Sequence, residues 1–122
     1  MIGRLRAVTI DCPDPSSLAD FYAGLLGLPV IERGSAWAKI GERGGLRIDF
    51  QRVDPYRSPA WPDPERPQQL HFEIVVEDIE AAEARVLRWG ARLLARVEED
   101  PANLYRVYAD PAGHPFCLEF TA

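Results

Sequence analysis

Two stretches of this chain follow one pattern: "AVTIDCPDPSSLADFYAGLLGLPVIE", starting at Ala7, and "LHFEIVVEDIEAAEARVLRWGARLLA", starting at Leu70. In the first, Val8, Ile10 and Cys12 alternate with Ala7, Thr9 and Asp11, the period of a half-buried strand. Asp14 then offers an N-cap carboxylate, and Pro15 takes the first helical position, where its missing N–H costs nothing. Leu18, Phe21, Tyr22, Leu25 and Leu26 follow at helical spacing, and Gly27 ends the helix as a left-handed cap. In the second, Phe72, Ile74 and Val76 alternate with His71, Glu73 and Val75. Asp78 is the cap, Ile79, Ala82, Val86 and Trp89 form the helical stripe, and Gly90 stops it. The offset from Asp14 to Asp78 carries Ala7 onto His71. A duplicated strand–cap–helix unit narrows the possible folds more than any other feature of the chain.

Each unit continues into short strand-like runs. "LPVIER", "SAWAKIG" and "GLRIDFQRV" follow the first helix; "ARLLARVEE", "LYRVYADP" and "HPFCLEF" follow the second. Their separators, such as "GERGG" and "DPAGH", have turn composition. The pattern is βαβββ twice, an α+β chain, with repeat one over residues 4–53 and repeat two over 69–121. Between them, residues 54–68 carry Pro55, Pro59, Pro62, Pro64 and Pro67, too many for a helix or central strand, so this segment reads as a linker loop. One βαβββ unit cannot cover both faces of its sheet. Two of them, helices outside, are expected to pair edge to edge and curve around a shared cavity. Alternation then turns Ala7, Thr9 and Asp11, and His71, Glu73 and Val75, toward that cavity. In the last strands, Leu46, Ile48 and Phe50 match Phe116, Leu118 and Phe120 on the core side. Arg47 and Asp49 match Cys117 and Glu119 on the cavity side.

The 122 residues suit one compact domain. Fourteen Lys+Arg against nineteen Asp+Glu give a formal charge of −5, which argues against general affinity for nucleic acid or anionic membranes. No apolar run approaches the roughly 20 residues of a membrane span, and "MIGRLRAVTIDC" lacks the apolar core of a secretory signal. A cytoplasmic protein is expected. Cys12 and Cys117 have neither disulfide-framework nor zinc-site spacing, and Cys12 reads as small buried filler.

The chain resembles the vicinal oxygen chelate superfamily of glyoxalase I, fosfomycin and bleomycin resistance proteins and extradiol dioxygenases, most closely its glyoxalase-like subgroup. "TIDCPDPSSLADFYAGLLGL", "VVEDIEAAEARVLRWGA" and "YADPAGHPFCLEF" carry the resemblance. It implies a single glyoxalase-like domain over 1–122, a curved, partly open mixed-sheet barrel, and a homodimer. In metal-dependent relatives the ligands lie on the first and last strands of each unit. Carried over, those places fall on Ala7, on Arg47 or Asp49, on His71, and on Cys117 or Glu119. Ala7 has no donor atom. The resemblance therefore implies one divalent metal ion held by His71, Asp49 and Cys117, with water in the place of a ligand at Ala7.

Without a metal, His71 with Glu73 or Glu119 makes a general acid–base pair, because imidazole titrates near neutrality. Arg47 and Asp49, two residues apart on one face, read first as an ion pair. Trp37 and Arg47 from the first half, with Arg106 and Tyr108 from the second, are expected to line the cavity and contact substrate. Trp61, among the linker prolines, reads equally as a lid or as a dimer contact. Two functions stand open. One is a glyoxalase-like protein that binds a small oxygenated metabolite for metal-assisted lyase or isomerase chemistry. The other is a metal-free sequestration protein of the bleomycin-resistance type.

Overall fold

The computed structural model describes residues 1–121 and contains two compact units, Met1–Arg57 and a second beginning at Ser58. Each is one βαβββ repeat with its own four-stranded mixed sheet.

In the first unit, β1 (Ala7–Cys12) runs into α1 (Pro15–Leu26), followed by β2 (Val30–Arg33), β3 (Trp37–Gly41) and β4 (Arg47–Arg52). The spatial order is β1-β4-β3-β2. β1 lies parallel to β4, and the remaining pairs are antiparallel hairpin neighbours. The helix starts as its sequence dictates. Asp14 is extended and its carboxylate accepts from the Ser17 N–H at 3.3 Å, satisfying one of the amides that a helix leaves unpaired at its start. Gly27, at φ +67°, takes the left-handed turn that ends it. Leu18, Ala19, Phe21 and Tyr22 are buried. The Tyr22 ring stacks on Phe50 of β4, with centroids 5.9 Å apart. Leu46, expected in this core, is 60% exposed because β4 begins only at Arg47.

The second unit repeats the plan with β5 (Phe72–Val75), α2 (Ile79–Arg88), β6 (Arg92–Val97), β7 (Asn103–Ala109) and β8 (Pro115–Thr121), in the order β5-β8-β7-β6. The parallel pair is now β5 with β8. Asp78 caps α2 through the Ala81 N–H at 3.0 Å, and Gly90, at φ +100°, follows the last helical turn. Phe116 and Leu118 of β8 are fully buried on the side of the sheet that faces α2. The α2 stripe differs from expectation. Ile79 and Val86 are buried, but the third buried side chain is Glu83, and Trp89 is a half-open cap with the Arg85 guanidinium 5.1 Å from its ring.

Among the described residues, no helix or strand forms between Arg52 and Phe72. The linker is nevertheless ordered. The Arg66 guanidinium donates to the Ser58 carbonyl at 2.8 and 3.1 Å and to the Ser58 hydroxyl at 3.1 Å, while the Ala60 N–H donates to the Arg66 carbonyl. Gly113, at φ +92°, lets Ser58 close on the β7–β8 turn. A Cβ at Gly113 would lie 2.7 Å from that of Ser58. These contacts anchor the loop that carries Trp61. Among the described residues, no helix is long and apolar enough to cross a membrane.

Candidate functional site

The two faces of the second sheet have different chemistry, and register decides which residue serves which. Glu73 of β5 pairs with Cys117 of β8, and Val75 with Glu119. Across the next ladder, Val107 of β7 pairs with Cys117 and Tyr105 with Glu119. Directly paired side chains share a face, so these six project away from α2. Five of them, Glu73, Tyr105, Val107, Cys117 and Glu119, line a cavity of about 360 Å³. Trp61 and Gln68 of the anchored loop and His71, just before β5, complete its wall.

The His71 imidazole Nε2 lies 3.4 Å from a Glu73 carboxylate oxygen, and both side chains keep substantial contact with solvent. Glu119 has no ion-pair partner among the described residues. Cys117 is buried. Burial first, and then the charges of Glu73 and Glu119, push its thiol upward, so at neutral pH it is a neutral thiol and a poor nucleophile.

The opposite face holds a buried ion network. Arg106 donates to Glu83 at 2.9 Å, to Glu80 at 2.5 Å and to Glu98 at 2.7 Å. The Tyr108 hydroxyl donates to Glu83 at 2.7 Å, and Arg96 reaches the other Glu83 oxygen at 2.9 Å. Burial pushes the Glu83 carboxyl up, but the hydrogen bonds from Tyr108 and Arg106 and the charges of Arg106 and Arg96 outweigh it, leaving the group below its ordinary range. Glu80 is lowered chiefly by its hydrogen bond from Arg106. Tyr108 is raised, first by burial and then by Glu83.

This arrangement corrects the expectation for Arg106 and Tyr108. Their ladder partners are Leu118 and Phe116, both core residues, so they lie under α2 and not in the cavity. A buried guanidinium needs carboxylate partners, and the one supplied within the core is Glu83. Tyr105 and Val107 take the cavity positions in their stead.

In the first unit, the face away from α1 carries Ala7, Thr9, Trp37, Lys39, Arg47 and Asp49, as the ladders of β1, β3 and β4 set them. Arg47 grips Asp49 through two hydrogen bonds of 2.7 and 3.2 Å, and this contact raises the guanidinium further. Lys39 pairs with Glu32 at 3.0 Å. Trp37 is 38% exposed.

The residues do not fit the metal centre that the superfamily pattern implies. Ala7 offers no donor. The Asp49 carboxylate is engaged by Arg47, whose charge opposes a second cation beside it. Among the described residues, no group of three or more His, Cys, Asp or Glu side chains could hold a metal ion.

Comparison with known proteins agrees with this fold. A family model described as "Glyoxalase-like domain" matches residues 7–119. A glyoxalase/bleomycin resistance protein/dioxygenase family enzyme from Burkholderia phytofirmans superposes with a TM-score of 0.75 at 18% identity, covering 98% of this chain and 100% of that one. A glyoxalase family protein from Bacillus cereus gives 0.74 at 19% identity, over 98% and 95% of the two chains. A fosfomycin resistance protein from Mesorhizobium loti gives 0.67 at 12%, over 100% and 94%. No curated protein matches the chain. Identities this low speak for the fold alone. With the family match spanning both repeats, the chain belongs to the glyoxalase-like domain family of the vicinal oxygen chelate superfamily.

Proposed function

We propose that this protein binds a small organic molecule in the cavity of its second repeat without a metal ion, as a sequestration protein. The observation that carries the reading is the cavity itself, about 360 Å³ and walled by Trp61, Tyr105, Val107 and a few polar groups. That size and mixture suit a small-molecule site, while the donor set does not suit a metal. The test is a thermal-shift screen of small metabolites and antibiotics in chelator, repeated on Cys117→Phe and Val107→Phe, either of which fills the cavity. A ligand that binds only the native state raises Tm. Hits on the wild type that vanish in a folded filled variant support the reading. No hits, or hits indifferent to filling, refute it.

The His71–Glu73 contact supports a second reading, in which the same cavity performs metal-free proton transfer on an oxygenated metabolite. His71 with Glu73 or Glu119 would move the proton. Incorporation of solvent deuterium into a bound hit over time, lost in Glu73→Gln and Glu119→Gln, would mark turnover and displace pure sequestration. The reading includes a homodimer, supported by Leu70 and Val75, 61% and 72% exposed at the β5 edge. It also includes a reducing compartment such as the cytoplasm, supported by two free cysteines.

A further inference from the structure

We infer that the ligand of this cavity is an organic cation, a protonated or quaternary amine on an apolar body. The inference rests on the cavity being a ligand site and specifies what it takes. Three features of the wall carry it. First, Glu73 and Glu119 both line the cavity, while among the described residues no Lys or Arg does. Second, Trp61 and Tyr105 line the same space, and aromatic faces attract ammonium groups more strongly once water is excluded. Third, the neutral members of the wall, Val107 and the protonated Cys117, offer an apolar floor but no positive charge.

The first repeat shows that carboxylates on the equivalent face need not be left in this way. There Asp49 is clasped by Arg47 and Glu32 by Lys39. In the second repeat, Glu119 has no such partner among the described residues, and Glu73 faces the His71 imidazole at 3.4 Å. Two carboxylates at the rim of a low-dielectric hollow make a negative field that a ligand charge can satisfy, and an anion would meet repulsion there.

The test uses three probes of similar size on the full chain, followed by calorimetry: benzyltrimethylammonium, the neutral dimethylbenzylcarbinol, and phenylacetate. The cation is expected to bind about tenfold or more tighter than the carbinol, with phenylacetate weakest, as one well-placed charge contact implies. Glu119→Gln, checked for folding by circular dichroism, should weaken the cation about tenfold and leave the carbinol unchanged. Added salt should weaken the cation alone. Equal or tighter binding of the carbinol or phenylacetate would overturn the cation while leaving the cavity reading intact. Failure of all three probes, with other filling-sensitive hits present, would do the same. Failure of all three with no such hits would sink both.

Discussion

Ala19 of α1 and Glu83 of α2 hold the same place in the two copies of the repeat, and both are buried. Around Ala19 the helix packs on its sheet through Leu18, Tyr22 and Phe50, with apolar side chains throughout. Around Glu83 the same interface encloses the Arg106 guanidinium and the Tyr108 phenol, with the half-exposed Arg96 reaching in from the edge. The opposite faces differ in the reverse sense. Acids in the first repeat are matched by Arg47 and Lys39, whereas those of the second border a hollow. One backbone plan thus accepts either an apolar or an ionic helix–sheet interface. The hollow belongs to the repeat whose Arg106 lies under the helix.

The largest expected effect follows from that interface. Arg106→Ala leaves Glu83 with Arg96 and the Tyr108 hydroxyl and should cost about 3 kcal/mol, the low end of the range for breaking a buried pair. Replacing the set by apolar residues, as Glu83→Ala, Arg106→Ile and Tyr108→Phe together, should recover most of the loss, since apolar replacement of a buried ion pair is often neutral. Urea unfolding measures both. Equal destabilisation by the single and triple variants would mean that the two repeats do not share one packing plan.

A smaller effect separates the repeats by pH. Glu80 and Glu83 lie below their ordinary range, so their contribution is present above the unfolded value of about 4.3. It is lost as pH falls through their lower native values. Tyr108 is raised, so its contribution is present below about 10 and fades as pH climbs past that. Unfolding free energy should therefore fall on the acid side and, more weakly, on the alkaline side. The triple variant should be flatter on both. An unchanged acid limb in that variant would remove the network from the account of stability.

The smallest expected effect is one the repeats should share. Asp14→Ala and Asp78→Ala each remove one side-chain cap and should each cost about 1 kcal/mol. The Asp78 change should be no milder, given its shorter bond to the helix amide. A difference above a few tenths in the other direction would show that the two helix starts are not equivalent.

The duplicated unit, both caps and the strand alternation were legible in the sequence because each rests on local chemistry: a carboxylate three residues from an amide, a glycine at a left-handed turn, a period of two. The cavity faces of β5 and β8 followed from the same alternation. In β7, "LYRVYA" puts aromatic residues on both faces and its one charge, Arg106, on the face that is buried, so alternation points the wrong way. Its pairing with Phe116 and Leu118 settles the face. The clue that was present and unused was Glu83, four residues after Ile79 on the buried stripe, which required a partner such as Arg106. Gln68 carried no local signal, since a loop residue's approach to a cavity depends on contacts like those of Arg66 and Gly113 with Ser58.

The most direct test of a metal-free site is the metal content of the purified wild-type protein beside His71→Ala, read by elemental analysis. Both should contain the same trace, well below one ion per chain. One divalent ion per chain in the wild type, lost on removal of the imidazole, would contradict the reading.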